Sequence, residues 1–248
     1  VEVICQVRFP PVLRIEADLP VEFQDRVRQR FPLYKGEDEA GPLFSGAGIP
    51  HEVVQLVRGG LSAFLQKQPR TFSSADEPWT ATLAKDSLAL STMAYTRWER
   101  FHEFLEPLLD ALQQVYAPAF YSRIGLRYRN AIRRGTLGLE GQPWPELLRR
   151  ELAGELAATE ISQHVEKTDS RTLVRLPEFQ SKVYIQHGLS SEQGEEQYTI
   201  DNDFFTLQRS EFSNVLGTLQ YFNAQAHRLF RWCISDRLHE AMGPQPIP

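Results

Sequence analysis

Arg123-Ile124-Gly125-Leu126-Arg127-Tyr128-Arg129-Asn130 alternates cationic and apolar side chains, and this period of two decides the fold. On an extended strand Tyr121, Arg123, Gly125, Arg127 and Arg129 point one way while Ile124, Leu126 and Tyr128 point the other. The stretch therefore predicts a strand over Phe120–Ile132 with one cationic face and one face in the core. Arg133 and Arg134 follow it, so five arginines lie between positions 123 and 134 with no acid among them.

Upstream of this strand, Val3 to Phe9 reads as a strand broken by Pro10-Pro11, and Val12 to Ile15 as a further extended run. Pro20 opens a helix over about Val21–Phe31, with Phe23, Val27 and Phe31 on one face. The residues from Gly36 to Pro50, including Ser45-Gly46-Ala47-Gly48, read as the longest loop. Val53–Arg58, Arg70–Ser74, Trp79–Ala84 and Leu88–Tyr95 read as strands joined by short polar turns, which favours antiparallel pairing. Thr96-Arg97-Trp98-Glu99 has the form of a capping box ahead of a long helix carrying Phe101, Leu105, Leu108, Leu112 and Val115 on one face.

Downstream the order repeats: a helix over Pro145–Leu156, about four strand-like runs within Ile161–Asp203 broken near Pro177 and Gly188–Glu196, and a last helix over Asn214–Met242. Val7-Arg8-Phe9 also matches Leu126-Arg127-Tyr128. The expectation is an α+β fold built as a duplicated β-α-β4-α unit, an antiparallel sheet with long helices packed on one face. It is one domain, residues 1–248, made of two pseudo-repeats at about 1–117 and 118–243. A sheet covered on one side leaves the other for a ligand groove or a dimer interface.

The 248 residues are enough to bury a core without disulfide or metal, and 42% hydrophobic with 24% charged residues is an ordinary globular balance. Cys5 and Cys233 fall in apolar stretches and read as reduced, buried thiols. Val1–Phe9 lacks the features of a signal peptide and no window approaches a membrane span, so a cytoplasmic location without membrane contact is expected. A net charge of −5 argues against a surface that attracts nucleic acid or anionic lipid as a whole, and leaves room for a local basic patch.

Three readings of the arginine strand stand side by side. Arg123, Arg127 and Arg129 are a candidate anion site, since a guanidinium fork holds phosphate or carboxylate through two hydrogen bonds. Alternatively, Asp201 and Asp203, on one face of their own strand, neutralise the arginines across the sheet, or the arginines are merely solvated. Gly125 lets a ligand or neighbouring backbone approach, or marks a bulge. For metal, Glu99-x-x-His102 and Asp236-x-x-His239 have helical carboxylate-histidine spacing but no inward carboxylate pair to complete a site. There is no G-x-S-x-G elbow, P-loop or dinucleotide fingerprint, and the four tryptophans sit at packing positions. No catalytic residue, metal or cofactor is expected.

The strand Arg123–Asn130 resembles the R-I-G-L-R-Y-x-N hallmark of a sporadically distributed family of uncharacterised bacterial and archaeal proteins of about this length. Ile4-Cys5-Gln6-Val7-Arg8-Phe9-Pro10, Leu88-Ala89-Leu90-Ser91-Thr92 with Tyr95 and Trp98-Glu99-Arg100-Phe101, and Ile200-Asp201-Asn202-Asp203-Phe204 resemble its other blocks. The resemblance carries no activity to transfer. Its patchy occurrence is similar to that of genes in mobile-element or phage-defence loci, which implies an accessory or regulatory role.

Function is thus expected to be a non-enzymatic binding or accessory protein acting through protein-protein contact, with another protein or with itself as a homodimer. The alternatives are a binder or sensor of an anionic ligand, a nucleotide or RNA, through the arginine strand, and a metal-dependent hydrolase using Asp201 and Asp203.

Overall fold

The structure is a computed structural model that describes residues 1–35, 69–76, 78–192 and 194–243. The loop expected over Gly36–Pro50 and the strand expected over Val53–Arg58 lie outside the described residues.

Alternation at the start of the chain yields strand β1 (Glu2–Arg8), in which Val3, Cys5 and Val7 are buried and the residues between them are not. Two short helices follow, α1 (Arg14–Ala17) and α2 (Val21–Val27), then β2 (Leu33–Lys35), β3 (Arg70–Ser73), β4 (Trp79–Ala84) and β5 (Ser87–Thr92). A long helix α3 (Trp98–Tyr116) leads to the arginine strand β6 (Arg123–Arg133). Next come α4 (Trp144–Leu147), α5 (Arg150–Ala153), β7 (Ser170–Arg175), β8 (Lys182–Glu192), β9 (Glu195–Thr206), the long α6 (Phe212–Cys233) and α7 (Asp236–Ala241).

The nine strands among the described residues join one antiparallel sheet in the order β2-β3-β4-β5-β1-β6-β9-β8-β7. The fold is α+β. Strands β1 and β6 lie side by side near its middle with Cys5 opposite Leu126, while β2 and β7 are the outermost of the described strands.

One face of the sheet carries Leu83, Leu90, Cys5, Leu126, Phe204 and Val183, each at most 2% exposed. Rings of this face meet rings of three helices. Trp79 stacks on Phe104 of α3 at 4.2 Å, Phe72 meets Phe23 of α2 at 5.4 Å, and Phe204 meets Phe222 of α6 at 6.3 Å. The Tyr128 hydroxyl donates to Asn223 Oδ1 on α6 (2.9 Å). A second apolar cluster gathers Ile132, Trp144, Leu147, Tyr198, Ile200 and Cys233 under the short helices.

Several elements depart from the sequence expectation, for physical reasons. The helix expected over Pro145–Leu156 is split into α4 and α5, and the helix expected over Asn214–Met242 breaks between α6 and α7. One contact causes both breaks. Leu148 and Ile234 turn extended and form a β-bridge, with Ser235 N–H donating to Leu147 O and Arg149 N–H to Cys233 O, each 2.9 Å. Those backbone bonds replace helical ones, and the Ser235 hydroxyl then caps α7 by accepting from Leu238 N (3.3 Å).

Where about four strand-like runs are expected within Ile161–Asp203, the described residues hold three strands, β7, β8 and β9. Strand β8 runs through Gly188 to Glu192, and the chain reverses only at Gly194, whose φ of 84° suits a glycine. The strand expected over Phe120–Ile132 begins at Arg123, because Tyr121 forms a separate bridge with Ser210. Helix α2 stops at Val27, short of Phe31, and Arg14–Ala17 is helical instead of extended. The capping box is not formed: α3 starts at Trp98 with extended Arg97 as its N-cap, and no side chain caps it.

Candidate functional site

Alternation sends Gln6 of β1, Arg123, Gly125, Arg127, Arg129 and Arg133 of β6, and Glu195, Asp201, Asp203 and Phe205 of β9 to the face opposite the apolar one.

The arginines and acids of this open face bind one another. Arg123 donates through Nη2 to both Asp203 oxygens, at 3.0 and 2.9 Å, and through Nη1 to Gln6 Oε1 at 3.3 Å. Arg127 makes a two-pronged pair with Asp201, Nε to Oδ1 at 2.7 Å and Nη2 to Oδ2 at 2.5 Å. Arg129 lies 3.9 Å from Glu2 and Arg133 3.4 Å from Glu195.

None of the two-pronged pairs joins residues directly opposite in the ladder. Arg127 faces Asp203 and Arg129 faces Asp201, yet Arg127 bonds diagonally to Asp201, and Arg123 reaches along its own strand to Asp203. That reach crosses Gly125, where a Cβ would lie 2.1 Å from Arg123 Nη1. Gly125 thus admits a guanidinium of its own strand rather than a ligand or a neighbouring backbone.

Burial strengthens these pairs without closing them off. The Asp201 side chain is 9% exposed and its partner Arg127 28%. Burial raises the Asp203 carboxyl above its usual value, opposed by the charges of Arg123 and Arg127, while the hydrogen bonds that Arg127 donates to Asp201 raise the pKa of Arg127. A phosphate entering here would have to displace a carboxylate already held by a fork, so the geometry makes Arg123 and Arg127 poor first contacts for an anion.

Among the described residues no group of three or more His, Cys, Asp or Glu side chains is placed to hold a metal. His102 of the first carboxylate-histidine pair sits 3.6 Å from Glu106, and Asp236 of the second is bound by Arg231. Burial pushes the thiols of Cys5 and Cys233 up to about 12, which leaves neither as a thiolate nucleophile near neutral pH. An open cleft of about 600 Å³ beside the Leu148–Ile234 bridge contains Arg149 and Arg231, but Arg149 donates to Trp232 O and Arg231 pairs with Asp236. No helix among the described residues is long and apolar enough to cross a membrane.

Pairing register extends the open face beyond the residues that the sequence singled out. Toward β2 it continues as Ile4, Ser91, Thr80 and Ser73 in one row and Gln6, Ala89, Thr82 and Thr71 in the next; most of these side chains are small and half-buried, and Thr71 is buried. Toward β7 it continues as Asp203, Tyr184 and Leu173, and as Phe205, Lys182 and Arg175. The alternation Lys182-x-Tyr184-x-Gln186 was present as a signal, but nothing in it says which strand lies beside it. No protein-family model matches the chain, and no curated protein matches it in sequence.

Proposed function

We propose that this protein is a non-enzymatic binding and accessory protein that acts through protein-protein contact, with the open face of its sheet as the recognition surface. One observation carries the reading. The Arg/Asp pairs at the centre of that face satisfy one another, so the face is locally neutral there and can meet another protein surface without a stranded charge. The small residues Thr80, Thr82, Ala89 and Ser91 beside it allow close approach. The partner is another polypeptide or a second copy of this chain, and the family resemblance adds a regulatory role in a mobile-element or phage-defence locus.

The same reading takes the chain as two copies of one unit, about 1–117 and 118–243, with the long helices α3 and α6 packed on one face. In each half a central strand is flanked by a meander whose last strand returns to it, β5 to β1 and β9 to β6, before a long helix. Matching Val7-Arg8-Phe9 with Leu126-Arg127-Tyr128 makes Gln6 the counterpart of Gly125. These two residues stand directly opposite each other, which supports a pseudo-two-fold axis between them.

The test is native mass spectrometry of the protein purified from its own host, repeated with Thr80→Arg/Ser91→Arg on the open face. Loss of a bound polypeptide or second copy, with the thermal midpoint unchanged, is the expected result. A folded variant that keeps every partner of the parent would overturn the proposal.

A further inference from the structure

We infer that the outer end of the open face, where β9, β8 and β7 run side by side, binds single-stranded nucleic acid through Tyr184, Phe205, Lys182 and Arg175. This goes beyond the protein-contact role and uses the opposite end of the face from Thr80 and Ser91.

The cations come first. Lys182 and Arg175 stand directly opposite each other across the β7–β8 ladder. Like charges in that position repel and weaken a sheet. The other arginines of this face have acids, Arg123 with Asp203, Arg127 with Asp201 and Arg171 with Asp169, whereas Lys182 and Arg175 have no acidic partner among the described residues. An anion between them would relieve that repulsion.

The rings say which anion. Phe205 is the next residue in the same row, opposite Lys182, and Tyr184 lies diagonally beside it, opposite Asp203 and Leu173. Both rings are only half-buried. The Arg123 guanidinium lies 5.4 Å from the Phe205 ring and steadies it, while Tyr184 makes no ring contact among the described residues. Aromatic side chains on neighbouring strands of an uncovered antiparallel sheet, with cations alongside, take bases by stacking and phosphates by charge. Diagonal neighbours on adjacent strands stand about 7–8 Å apart, a span that consecutive nucleotides of an extended single strand can bridge. A duplex keeps its bases paired and out of reach of the rings, and an acidic peptide would satisfy the cations but leave both rings bare.

Fluorescence anisotropy tests the inference with a labelled oligonucleotide of about ten nucleotides, as RNA and as DNA, titrated with the full chain at several salt concentrations. Binding that weakens with salt is expected for one or both. Tyr184→Ala should weaken it about tenfold, and Tyr184→Leu should do the same while keeping apolar packing. Lys182→Ser/Arg175→Ser should lower the slope of log affinity against log salt by about 1.4. The inference fails if neither oligonucleotide binds in a salt-dependent way, or if folded variants bind as the parent does. It also fails if polyglutamate of equal length displaces the probe as well as unlabelled oligonucleotide.

Discussion

The Arg123 guanidinium fills the space in which a side chain on Gly125 would stand, with Nη1 2.1 Å and Cζ 2.6 Å from the position of a Cβ. Gly125→Ala therefore forces Arg123 off Asp203 and Gln6 and leaves a carboxylate that burial already disfavours. The expected cost is about 1–3 kcal/mol, from the lost charge-assisted bonds and the crowding. In Arg123→Ala the space is empty, so adding Gly125→Ala to it should cost much less than in the parent. Urea unfolding of the two single variants and the double variant measures this coupling, and simple additivity would show that the two residues are independent.

The Arg127–Asp201 pair makes a different prediction because its acid is the more deeply buried partner, 9% exposed against 28%. Arg127→Leu strands the Asp201 carboxylate and should destabilise the fold by about 2–3 kcal/mol, below the full cost of breaking a wholly buried pair because solvent reaches the arginine. Arg127→Leu/Asp201→Leu should recover much of that loss. A double variant as unstable as the sum of its parts would mean that the pair contributes nothing as a pair.

Much of this face was legible from alternation alone. The pattern Arg123-x-Gly125-x-Arg127-x-Arg129 fixes one face, and Asp201-x-Asp203 fixes another, because side-chain direction on a strand follows from sequence parity. Register does not follow from parity. The pairing of Arg127 with Asp201 instead of the facing Asp203 depends on side-chain reach within the assembled sheet, and the meeting of Lys182 with Arg175 depends on where the β7–β8 turn falls. Helix ends were hidden for a related reason: the Leu148–Ile234 bridge that splits two expected helices joins residues far apart in sequence, and local periodicity cannot register it.

Both cysteines should behave as protected thiols. Burial pushes Cys5 and Cys233 up to about 12, with Arg123 and Arg149 opposing only in part. Iodoacetamide at about pH 8 should label neither thiol in the folded chain, since the thiolate is the reactive form. Both should label once urea unfolds the protein, with the labelling curve tracking the unfolding curve. Mass spectrometry of the intact chain reads this directly, and rapid labelling of Cys5 in native buffer would show that the centre of the sheet opens locally.

His187 gives the fold a pH dependence whose sign follows from its surroundings. Its Nδ1 lies 2.7 Å from the Tyr198 hydroxyl, which itself donates to Leu152 O at 2.8 Å, so the imidazole meets Tyr198 as a donor and is neutral with the proton on Nδ1. Burial holds its pKa below the usual 6.5, and the charge of Asp169 opposes this only in part. The unfolded chain therefore binds a proton at this residue at a higher pH than the folded one does. As pH falls from 6.5 through the lower folded value, this residue's contribution to stability is lost, and it is fully present above 6.5. His187→Gln keeps a donor for Tyr198 but does not titrate, so between about pH 7.5 and about pH 5 its thermal midpoint should fall less than that of the parent. Parallel pH profiles for the two proteins would show that His187 is protonated equally in the folded and unfolded states.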